Sequence, residues 1–395
     1  MNTQEIQTLA NQYVINTYGT RKLALVRGEG KYVWDAEGRR YLDFLAGISV
    51  VNLGHCHPKV TEAICNQAQQ ILHTSNLYYI ESQVKLAELL SQHCFADKWF
   101  FSNSGAEANE AAIKIARRYW QQKEQPKPTI VTAHASFHGR TLTTISASGQ
   151  PKLHDGFSPL MQGFKYADFN DLAALEKAIT PDVGAILLEP VQGEGGVGIP
   201  DENYLTQVRQ LCNDKNILMI LDEIQTGLGR TGELFAHQHA DITPDIMTLA
   251  KSLGNGVPIG AMGCTDEVSQ GFSIGSHGST FGGNPLCTAA ALASVTALLD
   301  EKLVENAAGM GEYFKEELLT LADKHAIIKE VRGKGLMIGM DVTCTAAVII
   351  NAMFEKDIIV GPAGLHVVRF LPPLIIHKED VDTVISALDD VLGAL

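Results

Sequence analysis

The 395-residue sequence has little basic charge, no CxxC cysteine pair and no long uninterrupted hydrophobic run. Its 31 lysines and arginines face 45 acidic residues, which gives a net charge of −14. An acidic chain of this kind argues against a nucleic acid or an anionic membrane as its partner. The seven cysteines form neither a disulfide framework nor a zinc ribbon pattern, so we expect a reducing compartment and no metal site.

The most apolar stretch, residues 285–299, is interrupted by Thr288, Ser294 and Thr296. It is therefore shorter than the roughly 18 continuous apolar residues expected of a membrane-spanning helix. The first residues lack a basic segment followed by an apolar one, so no signal peptide is predicted. Together these absences favour a cytoplasmic protein that is not inserted in a membrane.

What the sequence does contain is a balanced globular composition, with 45% hydrophobic residues, 19% charged residues and 36 glycines. In the middle of the chain, short apolar runs alternate with amphipathic stretches at 106–120 and 204–214. This alternation predicts an α/β fold around a mostly parallel sheet that is covered on both faces. The predicted strands are 98–101, 129–133, 184–188, 217–221 and 246–250.

The two ends of the chain follow different patterns. Residues 28–34 and 40–44 are typical of a small hairpin. After residue 300, a helix at 305–325 precedes a strand-like segment at 327–341, a strand at 366–370 and a last helix. We therefore predict a large central domain at 56–300, a small C-terminal α+β domain at 301–395, and an N-terminal segment at 1–55 that packs with the small domain.

A first candidate site follows the strand at 98–101, in the segment Ser-Asn-Ser-Gly-Ala-Glu-Ala-Asn-Glu at 102–110. Ser104 and Glu107 have the spacing of a capping box, which predicts that a helix begins here. The free amides and positive dipole end of such a helix can bind a phosphate. On this segment alone, an ordinary capped helix with no ligand is the favoured interpretation, because capping boxes are common.

Two ionisable residues follow other predicted strands. Asp222 ends the strand at 217–221, and Lys251 follows the strand at 246–250. Ligands of open α/β sheets gather at the carboxyl ends of strands, where a buried lysine would have a lowered pKa and a nucleophilic amine. Taken alone, a solvated acid explains Asp222 equally well, and an exposed, solvated charge is the favoured interpretation of Lys251.

Three further segments carry weaker signals. The loop at 276–284 is rich in small and hydroxyl residues and could form a second anion-binding rim. The run Gly-His-Cys-His-Pro at 54–58 has no distant ligand partner, so a structural turn is favoured over a metal site. The glycine-rich segment at 193–198 lacks the GxGxxG spacing of a dinucleotide-binding loop.

In this order, the motifs resemble those of the class III aminotransferases, which use pyridoxal 5'-phosphate. The resemblance rests on the NSGAEANE segment, Phe-His-Gly-Arg at 137–140, Glu-Pro at 189–190, Asp-Glu-Ile-Gln at 222–225, Lys251 and the Ser-Thr-Phe-Gly-Gly-Asn loop at 279–284. It implies fold type I of the pyridoxal-phosphate enzymes, the aspartate aminotransferase fold, in which a large domain with a mostly parallel sheet carries a smaller α+β domain.

The resemblance also implies roles for the cofactor site. Lys251 matches the lysine that bonds the cofactor aldehyde and moves protons, and Asp222 matches the acid that pairs with the ring nitrogen. Phe137 matches the aromatic residue on the ring face, and Gln225 the residue near the ring's phenolic oxygen. The remaining cofactor-binding predictions are Ser104, Gly105, Ala106, His138 and Thr280. Thr280 resembles a phosphate ligand donated across a dimer interface, so a homodimer with composite sites is expected.

For the substrates, the resemblance implies transfer of the δ-amino group of N2-acetyl-L-ornithine to 2-oxoglutarate, as in arginine biosynthesis. Arg140 matches an arginine that binds the distal carboxylate, and Arg369 with Glu194 matches an arginine–glutamate pair. Tyr18 and Ser279 align with positions on the substrate side. Ornithine, succinylornithine, 4-aminobutyrate or an N-acyl diaminopimelate or lysine derivative are alternative donors. A non-catalytic binding protein with this fold and a nucleotide-binding protein are alternatives of a different class.

Overall fold

A computed structural model describes all residues of the chain, 1–395. The N-terminal part contains α1 (Thr3–Tyr13), β1 (Leu25–Glu29), β2 (Tyr32–Asp35), β3 (Arg40–Asp43), α2 (Ala46–Ser49), α3 (Pro58–Ala68) and α4 (Glu81–Gln92). The central part contains β4 (Lys98–Ser102), α5 (Gly105–Gln122), β5 (Thr129–Ala133), α6 (Leu142–Ala147), α7 (Pro151–His154), β6 (Phe164–Ala167), α8 (Leu172–Ala178), β7 (Val183–Leu188), α9 (Tyr204–Lys215), β8 (Leu218–Asp222), β9 (Ile246–Leu249), β10 (Gly260–Cys264), α10 (Asp266–Ser269) and α11 (Pro285–Asp300). The C-terminal part contains α12 (Leu303–Lys324), β11 (Ile328–Lys334), β12 (Met337–Val342), α13 (Ala346–Glu355), β13 (Ile358–Ile359), β14 (Gly361–Ala363), β15 (Val367–Phe370) and α14 (Lys378–Gly393).

The central sheet has seven strands in the order β4-β10-β9-β8-β7-β5-β6. Only β10 runs antiparallel to its neighbours, so the predicted α/β fold with a mostly parallel sheet is confirmed. All five predicted strands are present, each within two residues of its expected ends. The strands β6 and β10 were not predicted, because Phe-Lys-Tyr-Ala and Gly-Ala-Met-Gly-Cys are short and lack a continuous run of large aliphatic residues.

Each face of this sheet is buried against helices. In β8, Leu218 and Ile220 face the helix α5 side, whereas Met219 and Leu221 pack on the side of α9. Because side chains alternate across a strand, both sets must be apolar when both faces are covered. This requirement explains the continuous aliphatic run that the sequence shows there.

The ends of the chain share a second sheet, in the order β1-β2-β3-β13. Residues 28–34 were predicted as one strand, but the chain turns at Gly30, whose φ is +56°, and forms two strands of a meander. The segment 327–341 is likewise a hairpin, because Gly335 turns the chain with a φ of +52° between β11 and β12. Both turns use glycine at a φ that other residues rarely adopt.

A third sheet, in the order β11-β12-β15-β14, carries Arg369 on β15. The helices α12, α13 and α14 pack around the C-terminal part in the largest hydrophobic cluster of the chain. The domain limits themselves stay a prediction. No helix of the chain combines the length and the apolar character that crossing a membrane requires.

Candidate active site

The carboxyl ends of the parallel strands meet at one edge of the central sheet and open into a cavity of about 400 Å³. Ten of the predicted site residues line this cavity: Ser104, Gly105, Ala106, Phe137, His138, Arg140, Glu194, Asp222, Gln225 and Lys251. Residues that are more than a hundred positions apart in the chain therefore converge, as expected for a ligand site in a sheet of this type.

One side of the cavity is the beginning of helix α5. Ser104 is its N-cap, and its hydroxyl accepts a hydrogen bond from the Glu107 amide at 3.2 Å. The Glu107 carboxylate binds the amide of Asn103 at 2.5 Å instead of closing a full capping box. The amides of Gly105 and Ala106, the first two of the helix, have no acceptor within the helix. They can donate to a phosphate.

The floor of the cavity is a buried network around Asp222. Its Oδ2 accepts hydrogen bonds from Asn109 at 2.7 Å and from His138 Nδ1 at 2.8 Å, and its Oδ1 accepts the Ile224 amide at 3.1 Å. Thr248 orients Asn109 by donating to its amide oxygen at 2.8 Å. The network consists of four buried side chains: Asp222, His138, Asn109 and Thr248. A carboxylate held this way presents negative charge to a cationic ring nitrogen in the cavity.

Lys251 follows β9 in a left-handed conformation, with φ of +45°. Burial lowers the pKa of Lys251 from its ordinary value to about 8, and Arg369 adds to the lowering while Glu194 and Asp222 oppose it. Because the lowered pKa makes Lys251 lose its proton more easily than an exposed lysine, a large fraction of its amine is neutral and nucleophilic near pH 8. Non-glycine residues in this backbone region are uncommon and cluster at functional sites.

Glu189 is a residue of the cavity that the predicted site left out. Its carboxylate accepts the amides of Phe137 at 3.0 Å and Gly193 at 3.2 Å. Burial, with a contribution from Asp222, raises the pKa of Glu189 to about 7. The sequence could have predicted Glu189. It directly follows β7, just as Asp222 ends β8, and ligands of such sheets bind at the carboxyl ends of the strands.

The two arginines that were predicted to bind substrate are Arg140 and Arg369. Arg140 is exposed at the cavity mouth, with its guanidinium 5.6 Å from the centre of the Phe137 ring and no ion pair within the chain. Arg369 is 2% exposed, and its Nη1 binds Glu194 Oε1 at 2.6 Å and Gln225 Oε1 at 3.3 Å. Burial alone would raise the pKa of Glu194, but Arg369 and Lys251 lower it below its usual value. The Nε of Arg369 is buried without a partner, so a donor remains for a ligand.

Four predicted residues do not line the cavity: Tyr18, Ser279, Thr280 and Arg369, the last of which contacts the lining residues Glu194 and Gln225. Tyr18 is 83% exposed and does not line the cavity. Thr280 is exposed and also outside the cavity, although its neighbour Ser279 accepts a hydrogen bond from Asn103 at 3.2 Å, beside the start of α5. The structure of a single chain therefore does not bring Thr280 or Tyr18 to the site.

The arrangement fits pyridoxal 5'-phosphate. The helix start offers amides for a phosphate, Asp222 offers a buried carboxylate for a protonated ring nitrogen, Phe137 offers an aromatic face, and Lys251 offers an amine with a lowered pKa for an aldehyde. A metal ion is a poor match, because the chain contains no group of three or more potential metal-ligating side chains.

Comparisons with known proteins agree with this chemistry. The profile of the family described as Aminotransferase class-III matches residues 14–392. The chain is 51% identical to the acetylornithine aminotransferase of Methanocaldococcus jannaschii, over 97% of this chain and 96% of that one. It is 45% identical to the acetylornithine aminotransferase of Methanothermobacter thermautotrophicus over the full length of both.

Solved structures are similar as well. The ornithine aminotransferase of Toxoplasma gondii superposes with a TM-score of 0.96 at 38% identity, covering 100% of this chain and 96% of that one. A second structure of that enzyme, with partial occupancy of pyridoxal phosphate at its active site, has a TM-score of 0.96 at 37% identity and covers 100% of this chain and 95% of that one. The acetylornithine aminotransferase of Elizabethkingia anophelis has a TM-score of 0.89 at 34% identity and covers both chains completely.

Proposed function

This chain belongs to the class III aminotransferases, and on that premise we propose that it transfers the δ-amino group of N2-acetyl-L-ornithine to 2-oxoglutarate. The products are N-acetyl-L-glutamate 5-semialdehyde and L-glutamate. The similarity to acetylornithine aminotransferases over nearly the whole chain supports this donor. The observation that carries the proposal is the cavity lined by Lys251, Asp222 and Arg140, with Arg369 bound to Glu194 of its wall.

When bound, pyridoxal 5'-phosphate supplies an aldehyde that carries the amino group and a ring that stabilises negative charge on the substrate carbon. Lys251 would hold that aldehyde through its amine, and with its lowered pKa it would carry a proton to and from the substrate carbon. Asp222 keeps the ring nitrogen protonated, and His138 and Asn109 hold Asp222 in place. The amides of Gly105 and Ala106 would hold the phosphate, and Gln225, which lines the cavity, would hold the phenolic oxygen.

The two substrates differ in charge beside the reacting carbon. The donor has one distant carboxylate, for which Arg140 is the exposed cation at the cavity mouth. Glutamate and 2-oxoglutarate have a second carboxylate next to the reacting carbon, for which Arg369 is the cation. Glu194 neutralises Arg369 while the donor is bound, since an unpaired buried cation costs several kcal/mol. It moves away when the dicarboxylate enters.

The donor is tested with a panel of amines and 2-oxoglutarate. N2-acetylornithine should give the highest kcat/KM, ahead of ornithine, N2-succinylornithine and 4-aminobutyrate, because the chain is 45% to 51% identical to acetylornithine aminotransferases over nearly its whole length. A higher kcat/KM for any other amine would replace the proposed donor while leaving the aminotransferase activity unchanged. No turnover with any amine, in protein loaded with the cofactor, would favour a non-catalytic binding protein.

We also propose that the active unit is a cytoplasmic homodimer in which Thr280 contributes to the other subunit's site. Exposed apolar side chains near the loop that carries Thr280 support this: Ile274 and Phe281 belong to that loop, and Leu77 and Tyr79 precede α4, which packs on α11. Exposed large apolar side chains of this kind are typical of interfaces. The seven unpaired cysteines suit a reducing cytoplasm.

The shared site is tested by mixing Lys251→Ala protein with protein in which Thr280 is replaced by Trp. Each variant alone should be inactive, and hybrid dimers should regain one intact site, so part of the activity should return after subunit exchange. A matched mixture of Lys251→Ala protein with itself should stay inactive. If subunits demonstrably exchange and no activity returns, the site is not shared.

A further inference from the structure

The loop that carries Glu194, residues 193–198, has a strained backbone. Gly196 has φ of +97° and Val197 has φ of +54°. For a β-branched residue such as valine, a positive φ is a true outlier, which persists only where surrounding contacts impose it. Val197 is completely buried in a small cluster with Met337, Ala363 and Val367, so packing explains part of this constraint.

The loop packs on a row of paired residues that crosses three strands of the C-terminal sheet. In the register of β11, β12 and β15, Arg332 pairs with Gly339 and Gly339 pairs with Arg369. Residues paired in this way point to the same face, so two arginines flank a central glycine. A Cβ atom on Gly339 would lie 3.0 Å from the Cβ of Val197, which shows that the valine occupies the space above the glycine.

The two arginines hold the loop from opposite ends. Arg369 Nη1 donates to the Gly193 carbonyl at 3.2 Å and to the Glu194 carboxylate at 2.6 Å. Arg332 donates to the Gly196 carbonyl from Nε at 3.0 Å and from Nη2 at 2.7 Å, and to the Val197 carbonyl from Nε at 3.1 Å. Its third nitrogen, Nη1, binds Glu330 at 2.5 Å, which fixes the guanidinium plane.

From this geometry we propose that Arg332 is a positioning residue for substrate choice: by holding the carbonyls of Gly196 and Val197, it keeps Glu194 over Arg369. The inference rests on the proposed function, in which Glu194 covers Arg369 for the amine donor and uncovers it for the dicarboxylate. Arg332 does not line the cavity. It opposes the backbone strain at Val197, which would otherwise favour release of the loop and exposure of Arg369.

The test is Arg332→Lys, which keeps the charge but loses the planar fork that binds two carbonyls. With holoenzyme, single-turnover half-reactions give kcat/KM for N2-acetylornithine and for glutamate as donors. The ratio of glutamate to N2-acetylornithine should rise roughly three- to tenfold, the size expected for losing one or two net hydrogen bonds. The affinity for glutarate, a dicarboxylate that cannot react, should increase by a similar factor in calorimetry.

The matched control is Arg117→Lys. Arg117 also donates to two backbone carbonyls, those of Pro128 and Gln162 at 3.0 Å each, but it lies away from the cavity. This variant should leave the donor ratio and the glutarate affinity unchanged. A second variant, Gly339→Ala, adds a methyl group against Val197 and should shift both readouts in the same direction as Arg332→Lys. It also carries the test if Arg332→Lys does not fold.

Equal losses with both donors, or an unchanged ratio and glutarate affinity in Arg332→Lys and Gly339→Ala, would overturn the positioning role and leave Arg332 a purely structural residue. The proposed function fails in a different way. In that case wild-type protein would not use N2-acetylornithine, whereas glutarate binding would still show whether Arg332 controls access to Arg369.

Discussion

The floor and the rim of the cavity are built differently. On the floor, Asp222, His138 and Asn109 are buried and joined by hydrogen bonds of 2.7 to 2.8 Å. On the rim, Arg140 is exposed without an ion pair, and Arg369 is held by Glu194 from a strained loop. The floor is a connected hydrogen-bond network, whereas on the rim Arg140 has no ion pair and the Nε of Arg369 has no hydrogen-bond partner.

The proposed function gives a reason for this difference between the floor and the rim. The charge that Asp222 opposes is the same in both half-reactions, so a rigid network that needs no rearrangement serves both. The charge beside the reacting carbon differs between the two substrates, so Arg369 needs a partner that can leave. Variants of the floor should therefore affect both halves of the reaction, and variants of the rim should affect them unequally.

The largest effect is expected for Lys251→Ala. A methyl group can neither bond the cofactor nor move a proton, so steady-state turnover should fall by at least about a thousandfold. Borohydride reduction of the wild-type protein with bound cofactor, followed by peptide mapping, should place the label on Lys251. Lys85→Ala, which removes an exposed lysine paired only with Glu81, is the control and should keep full activity. A label on another lysine would refute the assignment.

A smaller but uniform loss is expected for Asp222→Ala. Removing a buried carboxylate leaves the ring cation unpaired, which typically costs about 3–5 kcal/mol, or roughly a hundredfold to a few thousandfold in rate. Single-turnover rates with N2-acetylornithine and with 2-oxoglutarate should fall by the same factor, and the cofactor should bind more weakly. Wild-type rates in this variant would mean that Asp222 does not act on the ring.

Arg369→Ala should separate the two halves. The 2-oxoglutarate half-reaction should slow by roughly a hundredfold, because a carboxylate loses its buried cationic partner. The N2-acetylornithine half-reaction should change by less than about tenfold, since that donor does not use Arg369. Glu194→Ala should have the opposite signature and improve glutamate as a donor relative to N2-acetylornithine. Equal losses of rate in both half-reactions for Arg369→Ala would show that the rim, like the floor, does not distinguish the two substrates.

The smallest effect concerns pH. Burial lowers the pKa of Lys251 to about 8, so the amine of cofactor-free protein is protonated and unreactive well below pH 8 and neutral above it. Its rate of reaction with an aldehyde should rise with pH and reach half its maximum near 8, well below the ordinary lysine value. Because Arg369 lowers and Glu194 raises this pKa, Arg369→Ala should move the midpoint up and Glu194→Ala should move it down. A midpoint near that of an exposed lysine would contradict the burial of the amine.

Much of the fold could be predicted because its signals are local. The run Leu-Met-Ile-Leu before Asp222 predicts a strand buried on both faces, and Ser104 predicts the start of α5; both are present. The turns at Gly30 and Gly335 were missed, although each glycine ends a Gly-X-Gly segment with charged neighbours, because a glycine inside a strand pattern suits a bulge as well as a turn. The strand β10 was missed because its two glycines weaken every local signal.

The candidate site was predicted in part. The motifs and their resemblance to a family identified ten of the residues that line the cavity. They did not predict that Asn109 and Thr248 support Asp222. Those residues lie on α5 and β9, far from Asp222 in sequence, and only the packing of the helix on the sheet brings them together. Tyr18 and Thr280 are outside the cavity of this chain, so their roles stay predictions.

By itself, the sequence determined the α/β class, the positions of most central strands and the residue types available at their ends, because these depend on local apolar patterns and capping. The tertiary structure alone decided which charges meet. Arg369 and Glu194 are 2.6 Å apart although one is on β15 and the other in a loop after β7, and the low pKa of Lys251 exists only because folding removes water from its amine. Burial and long-range proximity are properties of the folded chain, since both arise when distant segments exclude solvent together.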